Sequence, residues 1–104
     1  MNINRDILSL AIHHFGSNVQ KDKAIEEMAE LIQIIIKARL PTSKMTAFQV
    51  NTYKHLITGE IANVYVTLES LKMIHGINDD EIQKIIDEKI TYLSEYLPLN
   101  QKDE

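Results

Sequence analysis

The chain has 104 residues, 44% of them hydrophobic, a net charge of −4 at pH 7 and no cysteine. That length fits one domain, residues 1–104, near the commonest domain size. The missing cysteines exclude disulfides and thiolate metal sites. With no dense Lys/Arg patch, the acidic balance also speaks against nucleic acid as a partner.

Three glycines, two prolines and no tryptophan point to regular structure around an aliphatic core. A chain this short buries a limited core by itself, so an oligomer that shares apolar faces between subunits is expected. The longest apolar run, Leu31 to Ile36, is interrupted by Gln33 and is far too short to span a bilayer. "MNINRDILSL" has no basic leader followed by a long apolar segment. The expectation is a soluble cytoplasmic protein with no membrane partner.

Apolar spacing predicts four helices. The first spans about Arg5 to His14, with Ile7, Leu8, Leu10, Ala11 and Ile12 on its inner side. "FGSN" ends it, and Gly16 suits a left-handed C-terminal cap. The second spans about Val19 to Ala38 and stops before "LPTS", where Pro41 disfavours a helical Leu40. After a connection from Pro41 to about Phe48, the third runs from about Val50 to His75. It contains Gly59, which costs about 1 kcal/mol relative to Ala and permits a bend or a close approach.

In "GINDDEIQKII", Asn78 caps the fourth helix, Glu81 completes a capping box, and the acids of the first turn face the helix dipole. Ile82, Ile86, Ile90, Leu93 and Leu97 form its buried stripe, Pro98 ends it, and a polar tail closes the chain. No segment alternates with period two. The predicted fold is an all-α four-helix bundle.

"AIEEMAELIQIII" sets three glutamates in an apolar stretch in which Ala24, Ile25, Met28, Ala29, Leu31 and Ile32 leave little circumference for water. On a helix, Glu27 and Glu30 lie about 60° apart, and Glu26 and Glu30 about 40° apart. Glu30 therefore shares a sector with one neighbour or the other. The third helix repeats the spacing with Glu60 and Asn63 among Ile61, Ala62 and Val64. Two neighbouring helices each presenting such a pair supply several oxygen ligands at one place, which suits Mg²⁺ or Mn²⁺. Ordinary solvated surface charge is the competing reading of an EExxE spacing.

"EEMAELIQ" followed by "GEIANVYVTLESLKMIHGI" resembles the MazG-like, all-α nucleoside triphosphate pyrophosphohydrolases, in particular their short phage-type members. "LSLAIHHFGSNVQKDKAIEEMAELIQ" and "DEIQKIIDEKITYLSEYL" are similar to the family's flanking helices, so the resemblance covers about residues 7–97. It implies a four-helix bundle that forms a homodimer or homotetramer, holds Mg²⁺ and hydrolyses a (deoxy)nucleoside triphosphate to the monophosphate and pyrophosphate. By position, Glu27, Glu30 and Glu60 match metal ligands, and Glu26 matches the glutamate that binds metal or orients the attacking water. Asn63 stands where the family has Asp. Its amide oxygen can still coordinate a cation, but it brings no charge and cannot act as a base.

Phosphate also needs positive partners, for which Arg39, Lys44, Lys54 and Lys89 are candidates, although each is a commonplace solvated base. Gln20 opens the second helix just upstream of the glutamates, where its amide either contacts a nucleobase or caps the helix entry. His13 and His14 diverge by about 100° and do not easily ligate one ion. No HExxH, P-loop or GxSxG motif is present. The rival to an enzyme is a helical oligomerisation or regulatory module of the same fold, with Asn63 the mark of lost chemistry.

Overall fold

The computed structural model describes residues 2–39 and 41–98. Among these are four α-helices and no strand, as the apolar periodicity predicts. Helix α1 covers Arg5–Phe15, and the Asn4 side chain accepts the Ile7 N–H at its start. Gly16 has the positive φ expected of it, 93°, but its ψ of 154° is extended rather than left-handed. That region is open essentially to glycine alone. A single residue therefore ends α1, donating to the Ile12 carbonyl, and starts α2, accepting from Gln20. This tight corner is why α2, Ser17–Lys37, begins two residues before the predicted Val19.

α2 ends at Lys37, one residue before the predicted Ala38, and Leu40 lies outside the described residues. A 3₁₀ turn, Thr42–Lys44, precedes α3, Ala47–His75. This helix starts three residues earlier than predicted because Thr46 and Gln49 form a reciprocal capping box that the apolar pattern does not reveal. Gly59 neither breaks α3 nor meets a close neighbour: a Cβ placed on it has nothing within 4 Å. Gly59→Ala is therefore expected to stabilise the protein by about 0.5–1 kcal/mol, read as a rise in the thermal midpoint. A fall would mean that this position packs closely against something outside the single chain.

Helix α4 covers Asp79–Ser94 and begins at the predicted Asn78–Glu81 box, with reciprocal bonds of 2.9 and 3.1 Å. It ends earlier than predicted. The N–H groups of Glu95, Tyr96 and Leu97 bond to carbonyls three residues back, a tightening of the last turn before Pro98, which disfavours a helical Leu97. Leu97 thus lies beyond α4, and the polar tail at 99–104 lies outside the described residues.

α2 and α3 pack as a hairpin, with α1 against both, whereas α4 makes no comparable contact with any of them. Ala24 is the one buried apolar residue among those described, and Glu27, Thr67 and Ser70 are the buried polar ones. The radius of gyration is 18.1 Å, against about 13 Å for a compact domain of this length. No helix among the described residues is long and apolar enough to cross a membrane.

Candidate metal centre

The hairpin decides which glutamates meet. Glu27 and Glu30, one turn apart on α2, face Glu60 on α3, and each offers an oxygen within 4.8 Å of the other two. Glu27 is buried, and Glu30 and Glu60 are half-buried. Glu26, about 100° around the helix from Glu27, is exposed and stands outside the triad. It instead lines a groove of about 410 Å³ with Phe15, Val19, Gln20, Asp22 and Lys23. Lys23 joins the two places, because its Nζ lies 3.4 Å from Glu27 Oε1.

The polar groups buried between the helices are not equally satisfied. Thr67 donates to the Val64 carbonyl and Ser70 to that of Val66. Glu27 Oε2 and Glu60 Oε2 are shut off from solvent with no hydrogen-bond partner. An acceptor buried without a partner is destabilising, so two of them in one cluster mark a place shaped by something other than stability. The Glu60 carboxyl is pushed above the usual carboxylate range, chiefly by burial and then by its contact with Glu27 and the charge of Glu30. Lys23 is pushed up by its hydrogen bond to Glu27 and by the charge of Glu26. Among the described residues, the exposed Lys23 ammonium is the one ion-pair partner of the three converging carboxylates.

This donor set fits a hard divalent cation. It consists of carboxylate oxygens alone, with neither His nor Cys in the cluster, and two of those oxygens lack a partner. Asn63 lies one turn beyond Glu60 on α3 and is exposed. Among the described residues, none of Arg39, Lys44, Lys54 and Lys89 forms an ion pair with a triad carboxylate. Lys54 is exposed on α3, about 120° around the helix from Glu60. Lys89 is on α4, away from the hairpin that holds the triad. Gln20 lies in the Phe15–Glu26 groove, on the same helix as two of the ligands.

Lys23 is the participant that sequence reading overlooked. Its signal was present, since a Lys four residues before a Glu on a helix forms an (i, i+4) pair. Such pairs are common on solvated faces, and only the burial of Glu27 gives this one weight. No family model, curated protein or solved structure matches the chain, so the triad's chemistry stands on its own geometry.

Proposed function

We propose that the chain is a metal-dependent nucleoside triphosphate pyrophosphohydrolase of the MazG-like type, with Glu27, Glu30 and Glu60 holding Mg²⁺ or Mn²⁺. The observation that carries this reading is the pair of buried, unpartnered oxygens on Glu27 and Glu60 within one acidic cluster. The resemblance of "EEMAELIQ" and "GEIANVYVTLESLK" to that family supplies the reaction class. When bound, the cation would offset triphosphate charge and favour deprotonation of water.

The chain's own residues take the remaining roles. The three carboxylates on a rigid hairpin hold their oxygens in fixed relation, so little ordering is left for the moment of reaction. Glu26, one residue from the triad and open to solvent, orients the attacking water and accepts its proton. The water oxygen bonds to the α-phosphorus, the bridging oxygen's bond to that phosphorus breaks, and pyrophosphate leaves. Lys23, freed from Glu27, turns its ammonium to the phosphates. Phe15 and Gln20 offer an aromatic face and an amide to the base in the adjoining groove. Asn63 adds a neutral amide oxygen beside Glu60.

Product analysis by ion-exchange chromatography tests the reading. The protein is incubated with each NTP and dNTP in Mg²⁺, in Mn²⁺ or in EDTA. Monophosphate and pyrophosphate in equal amounts, abolished by EDTA, are expected. No turnover in the parent, with turnover in Asn63→Asp, would mean that the chemistry was lost at that position. Silence in both would favour the oligomerisation or regulatory module.

A further inference from the structure

Lys23 belongs to both parts of the candidate site. It lines the groove with Phe15, Gln20 and Glu26, and its Nζ stands 3.4 Å from Glu27 Oε1. Four residues apart on α2, the two side chains meet through rotations of the lysine stem alone. Glu27 is 6% exposed, its Oε1 has this one ion-pair contact, and its Oε2 has no partner. Glu60 Oε2 is buried without a partner as well. The triad thus calls for more positive charge than one ammonium brings.

A second lysine, Lys72, is set among carboxylates in the opposite way. Gly76 turns the chain from α3 towards α4 with φ 64° and ψ 34°. Beside that corner, Lys72 pairs with Glu69 at 2.9 Å and with Asp79, and Arg5 takes the other Glu69 oxygen at 3.1 Å. The Lys72 side chain is 18% exposed and joins acids of α3 and α4, so its departure would strand both. This closed network fixes the direction of α4, whose Ile86, Ile90 and Leu93 stripe is exposed rather than buried as predicted. The Lys23 side chain, by contrast, is 54% exposed, and Glu27 is its one ion-pair partner among the described residues. Their separation exceeds the about 2.7–2.9 Å of a tight ammonium–carboxylate bond. Lys72 is fastened, and Lys23 is held loosely.

We propose that Lys23 is a resident counter-cation that a divalent metal displaces. It occupies Glu27 while the site is metal-free and, on exchange, serves the adjoining groove as its polyphosphate-binding group. Exchange rests on the metal reading above and adds to it an order of binding, metal first and nucleotide second. An ion held by Glu27, Glu30 and Glu60 competes for the same oxygen and repels the ammonium. Lysine carries a hydrated point charge on four flexible carbons, so Lys23 moves without repacking α2 against α3. Before exchange, a polyphosphate meets the triad carboxylates and Glu26 with the ammonium already engaged. After exchange the charge of the triad is offset, and the ammonium is free for phosphate oxygens. A metal-free site therefore turns nucleotide away.

Calorimetric titration of the full chain tests both halves of the exchange. Mn²⁺ alone reads the first, and pyrophosphate added at a fixed excess of Mg²⁺, or in EDTA, reads the second. The parent is expected to bind Mn²⁺, and to bind pyrophosphate in Mg²⁺ but not in EDTA. Lys23→Met removes the charge and keeps most of the stem. It should bind Mn²⁺ about five-fold more tightly, the weight of one exposed ion pair. It should also bind pyrophosphate in Mg²⁺ about ten-fold more weakly, the weight of a charged hydrogen bond. Lys23→Gln should repeat both changes, and Lys23→Arg should stay near the parent in both. Lys84→Met, on α4, removes the same charge elsewhere and should change neither. Circular dichroism checks that each variant keeps its helices. A parent that binds no Mn²⁺ would overturn the metal reading and the exchange with it. Mn²⁺ binding that Lys23→Met leaves unchanged or weakens would overturn the exchange alone. A tighter Mn²⁺ site with undiminished pyrophosphate binding would do the same, because Lys23 would then compete with the metal without passing to the anion.

Discussion

Glu27→Gln is expected to abolish the rise in thermal midpoint that Mg²⁺ or Mn²⁺ produces in the parent, and Glu30→Gln to do the same. A ligand that binds the native state alone stabilises it by about 1.4 kcal/mol at ten times its Kd. For a domain of this length that corresponds to roughly 6–11 °C. Glutamine keeps the size of the side chain and one carbonyl oxygen but removes the charge, so the packing of α2 against α3 is retained while affinity falls. Turnover is expected to fall with it. The loss of several kcal/mol of transition-state stabilisation corresponds to about a hundred-fold or more in rate. Differential scanning fluorimetry over a metal titration reads the first effect, and pyrophosphate release reads the second. Variants that respond to metal as the parent does would remove the triad from consideration as a metal centre.

Glu60→Gln is expected to act in opposite directions on the metal-free and metal-loaded protein. The Glu60 carboxyl is held above its ordinary range by burial, by Glu27 and by Glu30. An acid whose pKa is raised on folding adds stability while protonated and loses it as the pH rises through the raised value. The metal-free parent should therefore become more stable as the pH is lowered from neutrality towards that value. Below the ordinary carboxylate pKa, both folded and unfolded chains carry the proton and this contribution levels off. Glutamine is neutral at every pH and can donate to the unpaired oxygen of Glu27. The metal-free Glu60→Gln protein is expected to melt higher than the parent at neutral pH, to lose this pH slope and to gain little from Mn²⁺. Melting curves from mildly acidic to neutral pH, with and without Mn²⁺, provide the check. A lower midpoint without metal would show that Glu60 supports the hairpin, contrary to the crowding of like charges at this site.

Together these three variants separate a site maintained for binding from one that merely results from packing. A structural carboxylate has its oxygens satisfied, as the Glu69 oxygens are by Arg5 and Lys72. In the triad, Glu27 and Glu60 each leave an oxygen without a partner. The two clusters lie on one chain and share the helix α3, so the contrast reflects their partners rather than the type of fold.

The number and kind of elements were legible in the sequence because helix periodicity and caps are local properties. The start of α4 at Asn78 and Glu81 follows from which backbone groups a side chain three residues away can satisfy. Local signals also misplace ends. The Thr46–Gln49 box begins α3 ahead of its apolar pattern, and Gly16 uses a conformation that composition does not distinguish from the left-handed one. Spacing likewise showed that Glu30 must share a sector with a second glutamate.

Which glutamate it shares depends on how α2 is rotated about its own axis, and that rotation is set by the apolar faces that α2 and α3 bury against each other. Only the tertiary structure could turn Glu27 and Glu30 inward towards Glu60, leave Glu26 in the neighbouring groove and bring Lys23 to Glu27. The same limit applies to α4. Its stripe was plain in the sequence as a surface to be covered, but the direction in which the helix leaves α3 was not. That direction depends on Gly76 and on the charges of Arg5, Glu69, Lys72 and Asp79, which come from three different helices and converge only in the folded chain.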